Sequence, residues 1–281
     1  MVDHDLALEA LSALCNTRVT SSQKHSGLLP NSVQLYSNKL IRQLLDGEAS
    51  CPVAGRILHH IHTGGQARGP FPFDVDVNKI TGKFHIINEH EFFDPKYHYD
   101  FTKVKDTQTY YRGGEKYERP CGWQRFAIKV LDKYGGNTWL GNTNRSTQSV
   151  SGEWPVSYHG TSLQGAEGII ERHYKPGPGE VYGRGIYSTP DLSEASVYAK
   201  SFTSKKTGKR YKVILQNRIN PEYRVQCSRP KYWLVRVPKE VSSSVVEELV
   251  ERAIRPYGLL LKEVRWGTGH KKNPKFNLFL P

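Results

Sequence analysis

His159 and Gly160 stand together at the end of an apolar run, Trp154-Pro155-Val156-Ser157-Tyr158, and two tyrosines, Tyr187 and Tyr198, follow downstream. A glycine at a strand end leaves its peptide N–H and C=O open to close approach by a planar amide, which a Cβ would obstruct. An imidazole can offer one ring nitrogen to a sugar hydroxyl while the protein holds the other. Two phenol rings can sandwich a flat heterocycle, with stacking contributing on the order of 1 kcal/mol beyond the area buried. If the ligand is a dinucleotide whose ring carries a carboxamide, these groups can hold the amide, the ring and the ribose. Cleavage of the bond between ring and ribose would then leave a cationic, oxocarbenium-like sugar for a nucleophile to attack.

The wider motifs are Tyr158-His159-Gly160-Thr161, Tyr182-Gly183-Arg184-Gly185-Ile186-Tyr187 and Ala195-Ser196-Val197-Tyr198. Their order and their aromatic offsets resemble the NAD-gripping core of the ADP-ribosyltransferases related to poly(ADP-ribose) polymerase. The resemblance covers about residues 120–266. It implies that His159 binds the adenine-side ribose, that the Gly160 backbone grips the carboxamide, and that Tyr187 packs beside the nicotinamide. It places Tyr198 at the stacking position of a following helix. Ala195 falls where the family carries a hydroxyl, so Ser196 is the candidate substitute. Where polymerising members carry a catalytic Glu, this chain has Tyr232, which makes the triad His159, Tyr187, Tyr232. The implied cofactor-binding set is His159, Gly160, Thr161, Gly185, Tyr187, Ser196 and Tyr198. With a neutral residue at the third position, the implied activity is transfer of a single ADP-ribose unit from NAD, as co-substrate, to a protein or nucleic-acid acceptor.

Two rivals belong beside that reading: an inactive transferase fold that only holds NAD, ADP-ribose or nucleic acid, and an RNA 2′-phosphotransferase using Arg184, Arg218 and Arg236. Taken singly, His159 reads as a satisfied strand-end histidine, Gly183 and Gly185 as a bulge, and the tyrosines as core aromatics. Glu89-His90-Glu91 mimics the paired glutamates of cholera-toxin-like transferases but lies upstream of the motif core, which makes it a coincidence. His59, His60 and His62 lack a Cys or carboxylate at useful spacing, so no metal site is expected.

The elements that must position these residues come next. Helical spacing predicts helices over 6–14, with Asp3 or Asp5 as cap, then over 32–45 and 53–61, so residues 1–80 read as a small helical N-terminal extension. The period then changes to two. Strands are expected over 83–87, 124–130, 138–140, 154–158, 211–219, 232–237 and 258–264, with short helices over 163–171, 192–202 and 245–253. Residues 92–120 show no period and read as irregular. The fold class is α+β, which the resemblance sharpens to an ADP-ribosyltransferase-like split β-sheet core with short helices over 81–281.

Composition bounds the rest. With 37% hydrophobic and 24% charged residues in a chain of 281, disorder throughout is excluded. No run of about 18 apolar residues exists, and the acidic Met1-Val2-Asp3-His4-Asp5 start differs from a secretory signal. No membrane partner is expected, and an intracellular protein, cytoplasmic or nuclear, is. The 4 cysteines form no CxxC pair, so neither zinc nor a disulfide framework is indicated. Net charge is +13, and residues 151–281 hold 22 Lys and Arg against 12 Asp and Glu. A basic half suits an anionic cofactor or a nucleic acid, although much of that charge lies at 205–210, which reads as a hairpin tip.

Overall fold

The computed structural model describes residues 3–15, 18–24, 84–142, 146–160, 183, 185–228, 231–238 and 241–264. Leu6, Ala7, Ala10, Leu11 and Leu14 form the buried stripe of helix α1 (His4–Cys15). Asp3 caps its start, its carboxylate accepting from the Leu6 N–H at 3.4 Å. The chain turns into β1 (Arg18–Ser21), where the Val19 N–H donates to the Ser12 hydroxyl at 2.8 Å. β1 runs parallel to β2 (Phe84–Ile87), and Asn88 then caps the one-turn helix α2 (Glu89–Phe92). The helices expected over 32–45 and 53–61, and the histidines at 59–62, lie outside the described residues.

The stretch expected to be irregular carries β3 (Tyr99–Asp100) and a hairpin of β4 (Tyr110–Arg112) and β5 (Glu115–Tyr117). Gly113 and Gly114 make its turn at φ of 58° and 78°, a conformation that glycine adopts without strain. Strands of two or three residues are too short to show a period. β6 (Gln124–Ala127) follows. Thr138–Leu140, expected as a strand, is instead a 3-10 turn, because the Trp139 indole N–H reaches back to the Gly136 carbonyl at 2.9 Å.

β7 (Val156–His159), β8 (Gly185–Ser188) and helix α3 (Leu192–Val197) carry the motif residues. The helix expected over 192–202 stops early. Its second half becomes β9 (Lys200–Thr203), since residues 200–203 find a ladder partner in the first half of β10 (Arg210–Ile219). β11 (Arg224–Gln226), β12 (Trp233–Arg236), helix α4 (Ser243–Ala253) and β13 (Ile254–Glu263) complete the described chain.

Besides the β1-β2 and β4-β5 pairs, two larger sheets organise the strands. One runs β3-β6-β13-β10-β7, with β9 also on β10; the other runs β11-β12-β8. Among the described residues the two larger ones meet at one bridge, Tyr158 opposite Thr189, where β7 leaves the first sheet and β8 enters the second. Among the described residues every pairing is antiparallel except β1 with β2. The protein is therefore α+β, with mostly antiparallel sheets and few helices. Leu11, Phe126, Val213, Leu215, Leu259 and Trp233 belong to one large core, to which α1 contributes its whole stripe. A smaller cluster of Trp123, Tyr158, Leu192, Ala195, Ile214 and Leu260 lies on the other face, beneath α3. No helix among the described residues is long and apolar enough to cross a membrane.

Buried charges anchor the start of β7. The Glu153 carboxylate lies 3.1 Å from the Arg218 guanidinium and 3.4 Å from that of Arg112, and it accepts from the Val150 N–H at 3.3 Å. Arg218 also donates to the carbonyls of Trp154 at 2.5 Å and Leu140 at 2.6 Å. At the basic hairpin tip, Lys206 Nζ lies 3.0 Å from Asp3 and 3.2 Å from Asp5, and the Lys205 N–H donates to Glu9 at 2.9 Å. Acidic groups on and beside α1 thus neutralise part of the tip.

Candidate functional site at the sheet split

His159 ends β7 beside the bridge. Its Nδ1 lies 2.6 Å from the Tyr187 carbonyl oxygen. A carbonyl can only accept, so Nδ1 carries the proton and Nε2 is left as an acceptor with no partner among the described residues. Burial lowers the imidazole pKa, outweighing the hydrogen bond to Tyr187, which raises it. The ring is therefore neutral around pH 7.

Gly160 meets the end of α3. A Cβ at this position would lie 2.8 Å from the Cβ, carbonyl carbon and carbonyl oxygen of Tyr198. Only glycine fits so close to that backbone. The Tyr198 hydroxyl in turn lies 3.3 Å from the Tyr232 hydroxyl, and Tyr232 donates its proton to the Glu194 carboxylate. Because that one proton is committed to Glu194, the Tyr198 hydroxyl is the donor to Tyr232. Burial, then the hydrogen bonds with Glu194 and Tyr198, push the Tyr232 phenol far above its ordinary range.

Tyr187 lies in β8 opposite Leu234 of β12, and its hydroxyl donates to the Gly183 carbonyl at 2.5 Å. At Gly185 a Cβ would lie 2.0 Å from the Val235 carbonyl oxygen, so the close pairing of β8 with β12 demands glycine there. Asp191 caps α3, accepting from the Glu194 N–H at 2.9 Å and pairing with Lys231 at 3.0 Å. Partial burial works against the Asp191 charge. Hydrogen bonds from Ser193, the Glu194 N–H and Lys231 nevertheless outweigh it and hold the carboxyl down at about 2.

The structure thus brings His159 to Tyr187, Gly160 to Tyr198 and Tyr198 to Tyr232, with Gly185 setting the pairing of β8. It does not bring in the expected hydroxyl of α3. Ala195 is fully buried against the sheet, while Ser196 is half-buried and its hydroxyl makes no hydrogen bond among the described residues. The Ser196 carbonyl accepts from Lys212 at 3.1 Å and from the Ala199 N–H at 3.4 Å. Thr161, Arg184 and the helix expected over 163–171 lie outside the described residues.

Two features escaped the sequence reading. Glu194 follows Asp191 at the spacing of a capping box, in which its carboxylate would return to the Asp191 N–H. That N–H instead donates to the Thr189 hydroxyl at 3.1 Å, and the Glu194 side chain turns to Tyr232. The second is a polar group beside His159: Ser157 two residues earlier on the same face, Asn217 opposite it on β10, and Ser188 on β8. All three are fully buried, and their side-chain polar atoms lack partners. No sequence pattern marks such a group, because its members come from three strands far apart in the chain.

The remaining candidates have structural employment. Arg218 is committed to Glu153 and two carbonyls, and Arg236 is exposed at the end of β12. The Arg218 guanidinium therefore has no role in a phosphate pocket. Glu89 is buried and pairs with His4 at 2.8 Å, which fastens α1 to α2. No group of three or more His, Cys, Asp or Glu suited to a metal ion occurs among the described residues. No protein-family model matches the sequence, and no curated protein matches it.

Proposed function

We propose that this chain is a mono-ADP-ribosyltransferase that takes NAD at the split between its two sheets, releases nicotinamide and passes ADP-ribose to an acceptor protein or nucleic acid. The observation that carries the reading is the run of contacts from His159 to Tyr187 and from Gly160 through Tyr198 to Tyr232. An imidazole with a fixed tautomer, a bare peptide edge and phenol groups stand together at one strand end. NAD supplies the bond that breaks: the pair of electrons in the ribose–nitrogen bond stays with the ring, so nicotinamide leaves neutral and the sugar becomes cationic.

The residues have separate tasks in this reading. The Gly160 peptide edge holds the carboxamide, and the rings of Tyr187 and Tyr198 confine the nicotinamide. The His159 Nε2 accepts from a ribose hydroxyl, a task that requires the neutral ring its burial favours. The acceptor nucleophile bonds to the anomeric carbon and gives its proton to solvent. Tyr232 stays protonated, so the site transfers one unit and does not elongate a chain. The absence of a hydroxyl at Ala195 favours the second reading, a module that binds NAD or ADP-ribose without turning it over.

Incubation with labelled NAD and separate pools of DNA, RNA and protein decides between them. Release of nicotinamide and label in one pool supports the transferase and names its acceptor; label in none, with no nicotinamide released, leaves the binding module. His159→Ala should abolish release while the protein keeps a cooperative melting transition. Wild-type turnover in that variant would remove His159 from the site.

A further inference from the structure

We infer that Glu194 supplies the negative charge of this site and acts on it through the Tyr232 hydroxyl, as a positioning residue. The inference rests on the NAD reading above. Cleavage of the ring–ribose bond moves the positive charge from the nicotinamide ring to the sugar, and a fixed negative charge on the sugar side stabilises the transition state more than the ground state. The residue before β12 cannot provide it, because Tyr232 is a protonated phenol. A carboxylate reaches the same place from α3.

Its position is determined on every side. The Glu194 backbone N–H is held by the Asp191 carboxylate at 2.9 Å, which fixes the first turn of α3. The Asp191 N–H is occupied by Thr189 at 3.1 Å, so the Glu194 side chain does not close back on the cap. Lys231 pairs with Asp191 at 3.0 Å, and Glu194 keeps a phenol as its hydrogen-bonded partner. From Glu194 the hydrogen bonds run in one direction, Tyr198 donating to Tyr232 and Tyr232 donating to the carboxylate. A chain of this polarity leaves electron density on both phenol oxygens, and Tyr198 is the residue packed on Gly160.

Glu194→Gln separates charge from shape, because the amide oxygen still accepts from Tyr232. Nicotinamide release gives kcat, and calorimetry with NAD gives Kd. The expected result is a fall in kcat on the order of a hundredfold with Kd changed by less than about threefold. A purely structural Glu194 predicts rescue by glutamine, and wild-type kcat in this variant would overturn the inference while leaving the NAD reading intact. Tyr232→Phe breaks the same relay from the other side and serves if the glutamine variant does not fold. The double variant should be no worse than either single one, since the pair acts as a unit; multiplied losses would overturn the relay. A wild-type protein that neither binds NAD nor releases nicotinamide would overturn the parent reading and this one with it.

Discussion

The two ends of β7 treat polar groups in opposite ways. At its start, Glu153 is paired with Arg218 and Arg112 and accepts from a backbone N–H, and Arg218 is further tied to two carbonyls. Nearby, the Arg255 guanidinium is enclosed by the rings of Tyr134, Trp139 and Trp154 at 4.5, 4.9 and 4.4 Å. At the other end, Nε2 of His159 and the side chains of Ser157, Ser188 and Asn217 have no partner among the described residues. Buried polar groups are normally satisfied, because leaving one unmade costs about 1–3 kcal/mol. One strand therefore carries an anchor whose charges are paired by the fold itself and, a few residues on, hydroxyl and amide groups that the described residues leave without partners. The proposed NAD reading draws on the second, and the first fixes the start of the same strand.

Removing one partner at each end gives the sharpest contrast. Glu153→Ala strands the Arg218 charge in the core and should cost about 3–5 kcal/mol in denaturant unfolding. Ser157→Ala loses no protein hydrogen bond and should change stability by less than about 1 kcal/mol. Equal costs would break the comparison. Gly160→Ala comes next. Its methyl must displace Tyr198 backbone atoms now 2.8 Å away, so NAD affinity should fall by about tenfold or more, against a stability cost of about 1–3 kcal/mol. Unchanged affinity would detach Tyr198 from the site.

The smallest effect is read against pH. His98 Nδ1 accepts from the Ala127 N–H at 2.9 Å, and burial, then repulsion from His4, lowers its pKa from 6.5 to about 4, although Asp94 pulls the other way. As pH falls below 6.5 the unfolded chain takes up this proton first. The contribution of His98 to stability is therefore complete above pH 6.5 and lost as pH falls to about 4. His98→Asn should flatten the melting-temperature profile within that window. Burial lowers His159 in the same direction, so nicotinamide release should persist on the acid side of its ordinary range and decline only when Nε2 takes a proton.

Much of this was legible in advance, in proportion to how local each signal is. β10 and β13 announce themselves by length and apolar content, and α1 by the spacing from Leu6 to Leu14. The two- and three-residue strands around Tyr99, Tyr110 and Glu115 have no room for a pattern. The helix over 192–202 was cut short by a strand partner that only folding brings alongside. At the candidate site, the closeness of His159 to Tyr187 and of Gly160 to Tyr198 follows from short motifs at strand and helix ends. Glu194 was hidden by its own local logic, since Asp-x-x-Glu is also the spacing of a capping box.

Sequence alone determined where strands end beside glycine, where imidazole and phenol groups stand relative to those ends, and which stripe of α1 is apolar; these depend on neighbours a few residues apart. Tertiary structure decided that Glu194 turns to Tyr232, that Arg218 serves the core, and that acidic groups at the N-terminus meet the basic hairpin. Each of those outcomes is a choice of hydrogen-bond or ion partner among groups distant in the chain. Packing makes that choice by allowing only some of them to approach.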